Sequence, residues 1–232
     1  MKLTTDIPTL DKQSSFGAYV SRPKGTPKAA ILVIQEVFGV NDGIRKKCDD
    51  WAEKGYLAVA PDLFWRLEPG VELNWDDQAL REKAFDLMNR NDPDKNILDI
   101  EATIHWIRGE CKIAKVGAVG FCLGGKLAYM TATRTDIDAT VGYYGVQIDE
   151  MLDEQHAISR PLMLHIPTAD QFVPAQAQAR MHEGLEDNAK VTLLDYQGLG
   201  HGFATEDGTR RDEEAATLAD RRTAEFFTQH LG

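Results

Sequence analysis

Short apolar runs alternate along the chain with longer segments whose apolar residues recur at helical spacing. Residues 29–35 (AAILVIQ) and 56–60 are apolar runs of the kind buried in a sheet, residues 116–121, 139–144, 161–166 and 190–196 read as further strands, and a weaker alternation at 15–22 adds one more. Asn41 or Asp42 can cap a helix that turns Ile44, Cys48, Trp51 and Ala52 inward and Lys46, Lys47, Asp49 and Asp50 outward, with Gly55 ending it. Asn74, followed by Asp76 and Asp77, reads as the start of a helix with Leu80, Ala84, Leu87 and Met88 on its apolar face. Pro93 separates it from a helix striped by Ile97, Ile100, Ile104 and Ile107. Further helices are expected after residue 122, at about 174–185, and from about 211, the last with Ala215, Leu218, Ala219 and Phe226 inward. Roughly seven strands, mostly alternating with helices, predict an α/β fold: a largely parallel sheet covered on both faces, in one domain spanning 1–232.

Right-handed crossovers place the C-terminal ends of parallel strands along one edge, where open α/β sheets bind ligands. Glu36, Cys122, Asp170 and His201 all follow predicted strands there. Cys122 lies in KVGAVGFCLGGKLAYM, which reads as strand, sharp turn and helix, with Gly120 and Gly124 at the flanks of a nucleophile elbow. A cysteine nucleophile works as thiolate, and the N-terminus of a helix helps to lower its pKa. Asp170 (TADQFVP) and His201 (GLGHGF) complete the order nucleophile, acid, histidine, and of the six histidines only His201 sits on such a loop. In that reading Cys122 attacks an acyl carbonyl, His201 shuttles the proton and Asp170 fixes its tautomer. The N–H groups of Leu123 and Val37 are the expected oxyanion hole. A carboxylate at Glu36 would raise the thiol pKa by repulsion, yet can accept its proton.

Charge and cysteine usage narrow the partners. With 37 acidic and 26 basic residues the net charge is -11, and no basic block interleaved with aromatics is present, which argues against nucleic acid and anionic membrane. The first residues carry no apolar targeting core and the longest apolar run, 29–34, is too short to span a bilayer, so a soluble cytoplasmic protein is expected. Cys48, Cys111 and Cys122 are odd in number and lack metal-ligand spacing, which suits a reducing compartment and no metal.

The joint occurrence of QEVFGVN, APDLF, GFCLGG, VGYYGV, TADQFVP and GHGFA resembles the dienelactone hydrolase (carboxymethylenebutenolidase) family over nearly the whole chain. The resemblance implies an α/β-hydrolase fold, no cofactor, and hydrolysis of a small unsaturated lactone, as in chloroaromatic degradation. It assigns the triad roles to Cys122, Asp170 and His201, and makes Glu36 an acid that contacts the resting thiol and helps form the thiolate once substrate binds. It also implies two arginines on the substrate carboxylate. One matches Arg81; the second position holds Thr205, so weaker binding of carboxylate-bearing lactones is expected unless Arg210 or Arg211 substitutes. Two other readings remain: a general carboxylesterase or thioesterase for small acids, and a non-catalytic binding or thiol-sensing protein on the same fold. The oligomeric state is open, a monomer being compatible with the sequence.

Overall fold

A computed structural model describes residues 3–206 and 209–232. Eight strands form one sheet: β1 (Thr5–Pro8), β2 (Ser15–Ser21), β3 (Ala30–Ile34), β4 (Leu57–Pro61), β5 (Val116–Phe121), β6 (Ala139–Tyr143), β7 (Leu162–Pro167) and β8 (Val191–Tyr196), in the order β1-β2-β4-β3-β5-β6-β7-β8. The first two strands run antiparallel to their neighbours and all other pairs are parallel. Six helices complete the fold: α1 (Asp42–Glu53), α2 (Gln78–Arg90), α3 (Pro93–Gly109), α4 (Leu123–Arg134), α5 (Ala175–Leu185) and α6 (Glu213–Leu231).

The pleat shows how the two faces are shared. A Cβ added at Gly117 of β5 would meet Phe227 of α6, whereas one added at Gly120, three residues on and therefore on the opposite face, would lie 1.9 Å from the carbonyl oxygen of Gly124 in α4. Trp51 of α1 packs edge-on against Phe227 at 5.4 Å, so α1 and α6 share the first face, and α3 and α4 pack together on the second. β3 to β7 are buried along their whole length, as their apolar runs require.

Several expectations are corrected by tertiary packing. β1 was not foreseen: four residues, TDIP, bury only Ile7 and give too little alternation to read. Asp77 rather than Asn74 caps α2, and its carboxylate accepts the N–H groups of Ala79 and Leu80. Lys47, placed on the solvent face by its spacing, is buried because its ammonium lies 4.6 Å from the centre of the Phe121 ring and 3.0 Å from Glu206. The buried stripe of α6 runs through Ala216, Ala219, Thr223, Phe226 and Phe227; Ala215 and Leu218 lie at its margin. Thr223 belongs inside because its hydroxyl joins Tyr143 (2.6 Å) and His165 Nε2 (3.0 Å), while His165 Nδ1 faces the Tyr196 hydroxyl at 2.8 Å. Burial lowers the pKa of His165 to about 3, so this network holds a neutral imidazole.

The loop after β4 is rich in charges, and the structure uses them to fasten it down. Asp62 accepts the N–H groups of Phe64 (3.1 Å) and Gly70 (2.6 Å), Arg66 and the Trp65 indole both reach the buried Asp99 of α3, and Glu68 pairs with Lys83. Leu73 continues the anchoring, its N–H bonding the Phe38 carbonyl (2.9 Å), and two residues on Trp75 packs edge-on against Phe172.

Candidate active site

Four of the parallel strands deliver one candidate residue each to the same edge. β3 leads to Glu36, β5 to Cys122, β7 to Asp170 and β8 to His201. Cys122 occupies a tight turn at φ 57°, ψ −113°, a conformation that costs a residue with a Cβ roughly 1–3 kcal/mol and that persists only because its surroundings fix it. Those surroundings are backbone. The first turn of α4 is pressed so closely onto the end of β3 that a Cβ at Gly124 would lie 2.5 Å from the carbonyl oxygen of Ile34 and 2.6 Å from that of Gln35. The same close approach brings Glu36 and Val37 beside the elbow, with Leu123 at the start of α4.

The side chains of Asp170 and His201 are almost fully buried, and His201 Nδ1 lies 2.8 Å from Asp170 Oδ2. The other carboxylate oxygen, Oδ1, accepts the N–H groups of Phe172 (2.7 Å) and Val173 (3.2 Å), which fixes the acid independently of the histidine. Burial opposes a charge on His201, yet the Cys122 sulfur and the Asp170 carboxylate outweigh it and raise the pKa to about 10. The Cys122 sulfur is thus near enough to act on the ring, although Nε2 makes no hydrogen bond. Phe172 and Tyr144 hold the imidazole edge-on at 4.8 and 4.9 Å.

Tyr144 was not among the expected site residues. It follows β6 at φ 39°, and burial pushes its hydroxyl well above the ordinary pKa, with Glu36 adding to the rise. Its place in VGYYGV was visible in the sequence, but the turn that drops its ring beneath His201 was not. Among the described residues five buried side-chain polar atoms make no hydrogen bond, and four of them are Glu36 Oε1, Tyr144 Oη, His201 Nε2 and Arg210 Nε, all within this group of neighbours. So dense a concentration of uncommitted donors and acceptors marks a place built to bind polar atoms other than its own.

The two expected carboxylate-binding positions lie on different segments, α2 and the loop after β8. Arg81, on α2, donates to the backbone carbonyl of Trp75 (2.7 Å) and lies 5.3 Å from the centre of its ring. Thr205 is buried, and its carbonyl accepts from Arg211 at 3.3 Å. Arg211 itself turns outward to Glu213 (2.7 Å), whereas Arg210 turns inward, with NH2 3.5 Å from Glu36 Oε2. The segment that carries these residues is closed at its base by Thr205 N–H to the Gly202 carbonyl (3.0 Å) and Asp212 N–H to the Phe203 carbonyl (2.9 Å). Glu206 then ties it to Lys47 of α1.

No cluster of three or more His, Cys, Asp or Glu side chains with the arrangement of a metal site occurs among the described residues, and no helix there is long and apolar enough to cross a membrane.

Comparison with known proteins gives a consistent result. The sequence model of the dienelactone hydrolase family matches residues 16–231. A protein of Azospirillum brasilense, provisionally named carboxymethylenebutenolidase, is 45% identical over 228 residues, covering 97% of this chain and 98% of that protein. The carboxymethylenebutenolidase of Pseudomonas putida is 36% identical over 214 residues, covering 92% and 91%. Among solved structures, a chain from Klebsiella pneumoniae subsp. pneumoniae, provisionally described as a dienelactone hydrolase, superposes with a TM-score of 0.85 at 25% identity, covering 97% of this chain and 98% of that one.

Proposed function

Because the chain belongs to the dienelactone hydrolase family and is therefore a hydrolase of ester or lactone bonds, we propose that it opens small unsaturated lactones such as dienelactone through a thioester formed on Cys122. The observation that supports this reading is the buried His201–Asp170 pair, whose second ring nitrogen makes no hydrogen bond and whose ring lies close enough to the Cys122 sulfur on the strained turn to be acted on by it. The thiolate sulfur attacks the acyl carbon, the tetrahedral oxyanion is held by the N–H groups of Leu123 and Val37, and each such donor contributes about 3 kcal/mol to lowering the barrier. The carbon–oxygen bond of the ring then breaks and His201 Nε2 gives its proton to the leaving oxygen. Water, deprotonated by the now neutral His201, attacks the thioester and restores the thiol. No cofactor or metal takes part, and a cytoplasmic location fits the three free cysteines.

An aryl ester tests the covalent step. Mixing with an activated 4-nitrophenyl ester is expected to release a burst of nitrophenolate equal to the enzyme present, with an acyl mass recoverable on the peptide that contains Cys122. Acyl transfer to Cys48 or Cys111 instead, or stoichiometric modification with no turnover after it, would favour the thiol-sensing alternative.

Glu36 supplies the second part of the proposal. Buried beside the elbow and held only loosely by Arg210, its carboxylate is placed to take the thiol proton once substrate has entered. Glu36→Gln keeps the shape and removes the base. Hydrolysis is expected to slow about tenfold or more on every ester tried, with an unchanged melting curve; wild-type turnover would make Glu36 a bystander.

A further inference from the structure

The buried hydrogen-bonded chain between the sheet and α6 has a direction. At one end Arg222 NH1 donates to the Tyr196 hydroxyl at 3.3 Å; at the other the Tyr143 hydroxyl donates to Asp220 Oδ1 at 2.9 Å. Between them Tyr196 meets His165 Nδ1 at 2.8 Å, His165 Nε2 meets Thr223 at 3.0 Å, and Thr223 meets Tyr143 at 2.6 Å. A guanidinium only donates and a carboxylate only accepts. The single Tyr143 proton is spent on Asp220, so Thr223 donates to Tyr143 and accepts from His165, which carries its proton on Nε2 and takes that of Tyr196 on Nδ1. Each hydroxyl donates once and accepts once, and the links polarise one another. The three strand residues of this chain are also those on which the site rests. The Tyr143 carbonyl accepts the N–H of Cys122 at 3.0 Å, the His165 carbonyl that of Tyr144 at 2.9 Å, and the Tyr196 carbonyl that of Thr168, two residues before Asp170, at 3.0 Å. Phe203, two residues past His201, sets its ring 4.7 Å from that of Tyr196.

We propose that Thr223, acting with His165 and Tyr196, is a positioning residue for the reaction: from the helix behind the sheet it sets the spacing of the ends of β6, β7 and β8, and through them places Cys122 against His201. The proposal rests on the reading of Cys122, Asp170 and His201 given above. Apolar packing tolerates small slips between neighbouring strand ends, whereas a hydrogen bond holds a distance and an angle together. The hydroxyl at 223 reaches β6 and β7 at the same time, from a side chain that is 1% exposed. His201 Nε2 makes no hydrogen bond, so proton transfer depends on how closely these strand ends bring ring and thiol together. Loosening the chain then slows the chemistry and leaves the binding of substrate alone, because none of its side chains is among those that meet the substrate.

Two variants cut the chain at different links. Thr223→Val keeps the shape and removes the hydroxyl, and Tyr196→Phe keeps the ring on Phe203 and removes the donor to His165. Each is expected to lower kcat on 4-nitrophenyl acetate about tenfold, with KM nearly unchanged, and Thr223→Ser, which returns the hydroxyl, to recover most of the rate. The double variant should cost little more than the larger single loss, since a chain already broken has little left to lose. Nitrogen NMR of histidine-labelled protein adds a readout that needs no turnover: the His165 ring is expected as the Nε2-protonated tautomer, and an Nδ1-protonated ring overturns the direction of the chain. A lowered melting temperature with kcat unchanged in both single variants overturns the positioning role, as does a Thr223→Ser enzyme as slow as Thr223→Val. Should Thr223→Val not fold, Tyr196→Phe decides by the same criterion. Cys122→Ala on the same ester separates these outcomes from a failure of the mechanism: turnover that survives it removes the reading on which the proposal stands.

Discussion

Cys122→Ala is expected to lose at least about 10⁴-fold in turnover, and His201→Ala nearly as much, while both proteins melt close to the wild type. The two losses should be similar because the residues act as a unit: an unpartnered thiol is a weak nucleophile, and an imidazole without the thiol has nothing to activate. Folding should survive both changes. Alanine tolerates the φ of 57° no worse than cysteine does, and the bonds that shape the elbow run through the backbone, including the Cys122 N–H to the Tyr143 carbonyl at 3.0 Å. The informative controls are Cys48→Ala and Cys111→Ala, each expected to retain most activity. Cys48 is fully buried among core side chains, where burial pushes its thiol well up, and Cys111 lies at the far end of α3 from the catalytic edge. A loss at Cys48 as large as at Cys122 would sink the assignment.

Asp170→Asn should lower kcat by about 10⁴-fold, the loss the same change brings to serine protease triads. Asparagine preserves the shape and can still accept the N–H groups of Phe172 and Val173, so the loop should stand. Its amide nevertheless presents a donor to Nδ1 and reverses the tautomer. The pH profile gives a second readout. A group whose pKa is raised stays protonated until the pH climbs through the raised value, so wild-type kcat/KM should fall on the alkaline side near pH 10, where His201 ceases to be a proton donor. Burial pulls that limb down while the Cys122 sulfur and Asp170 hold it up. With Asp170 neutralised, the residual activity should therefore fail at lower pH than in the wild type. A limb that stays in place would mean that the carboxylate does not act on the imidazole charge.

The parts of this site that were legible in the sequence are those set by local rules. The elbow declares itself because a strand, a strained turn and a helix are contiguous, and the glycines at 120 and 124 stand where backbone meets backbone. Asp170 and His201 could be placed because each follows a strand of the parallel sheet, and parallel strands end on one edge. Arg210 and Trp75 follow no such rule, and nothing in the Tyr143-Tyr144 pair at the end of β6 tells which ring turns toward His201. Arg210 and Trp75 lie 135 positions apart and meet only because both loops fold over the same edge, and nothing in the spacing around Arg210 and Arg211 tells which guanidinium turns inward. Lys47 shows the same boundary from the core side. Its charge read as outward-facing although Gly43, Ile44 and Trp51 beside it on α1 are buried, and the acid that covers it, Glu206, arrives from the far end of the chain. In α6 the stripe shifted because alanines at 215, 216 and 219 fit either face, and the choice was made by the polar network around Thr223.

The closed base of the segment from Gly202 to Asp212 has a bearing on how relatives of this chain can diverge. Its two main-chain bonds and the Glu206 tether fasten the stretch that begins at His201 independently of most of the side chains it carries. With that stretch fastened largely through main chain, the side chains at positions such as 205 and 210 can change between relatives without moving the imidazole that Asp170 holds.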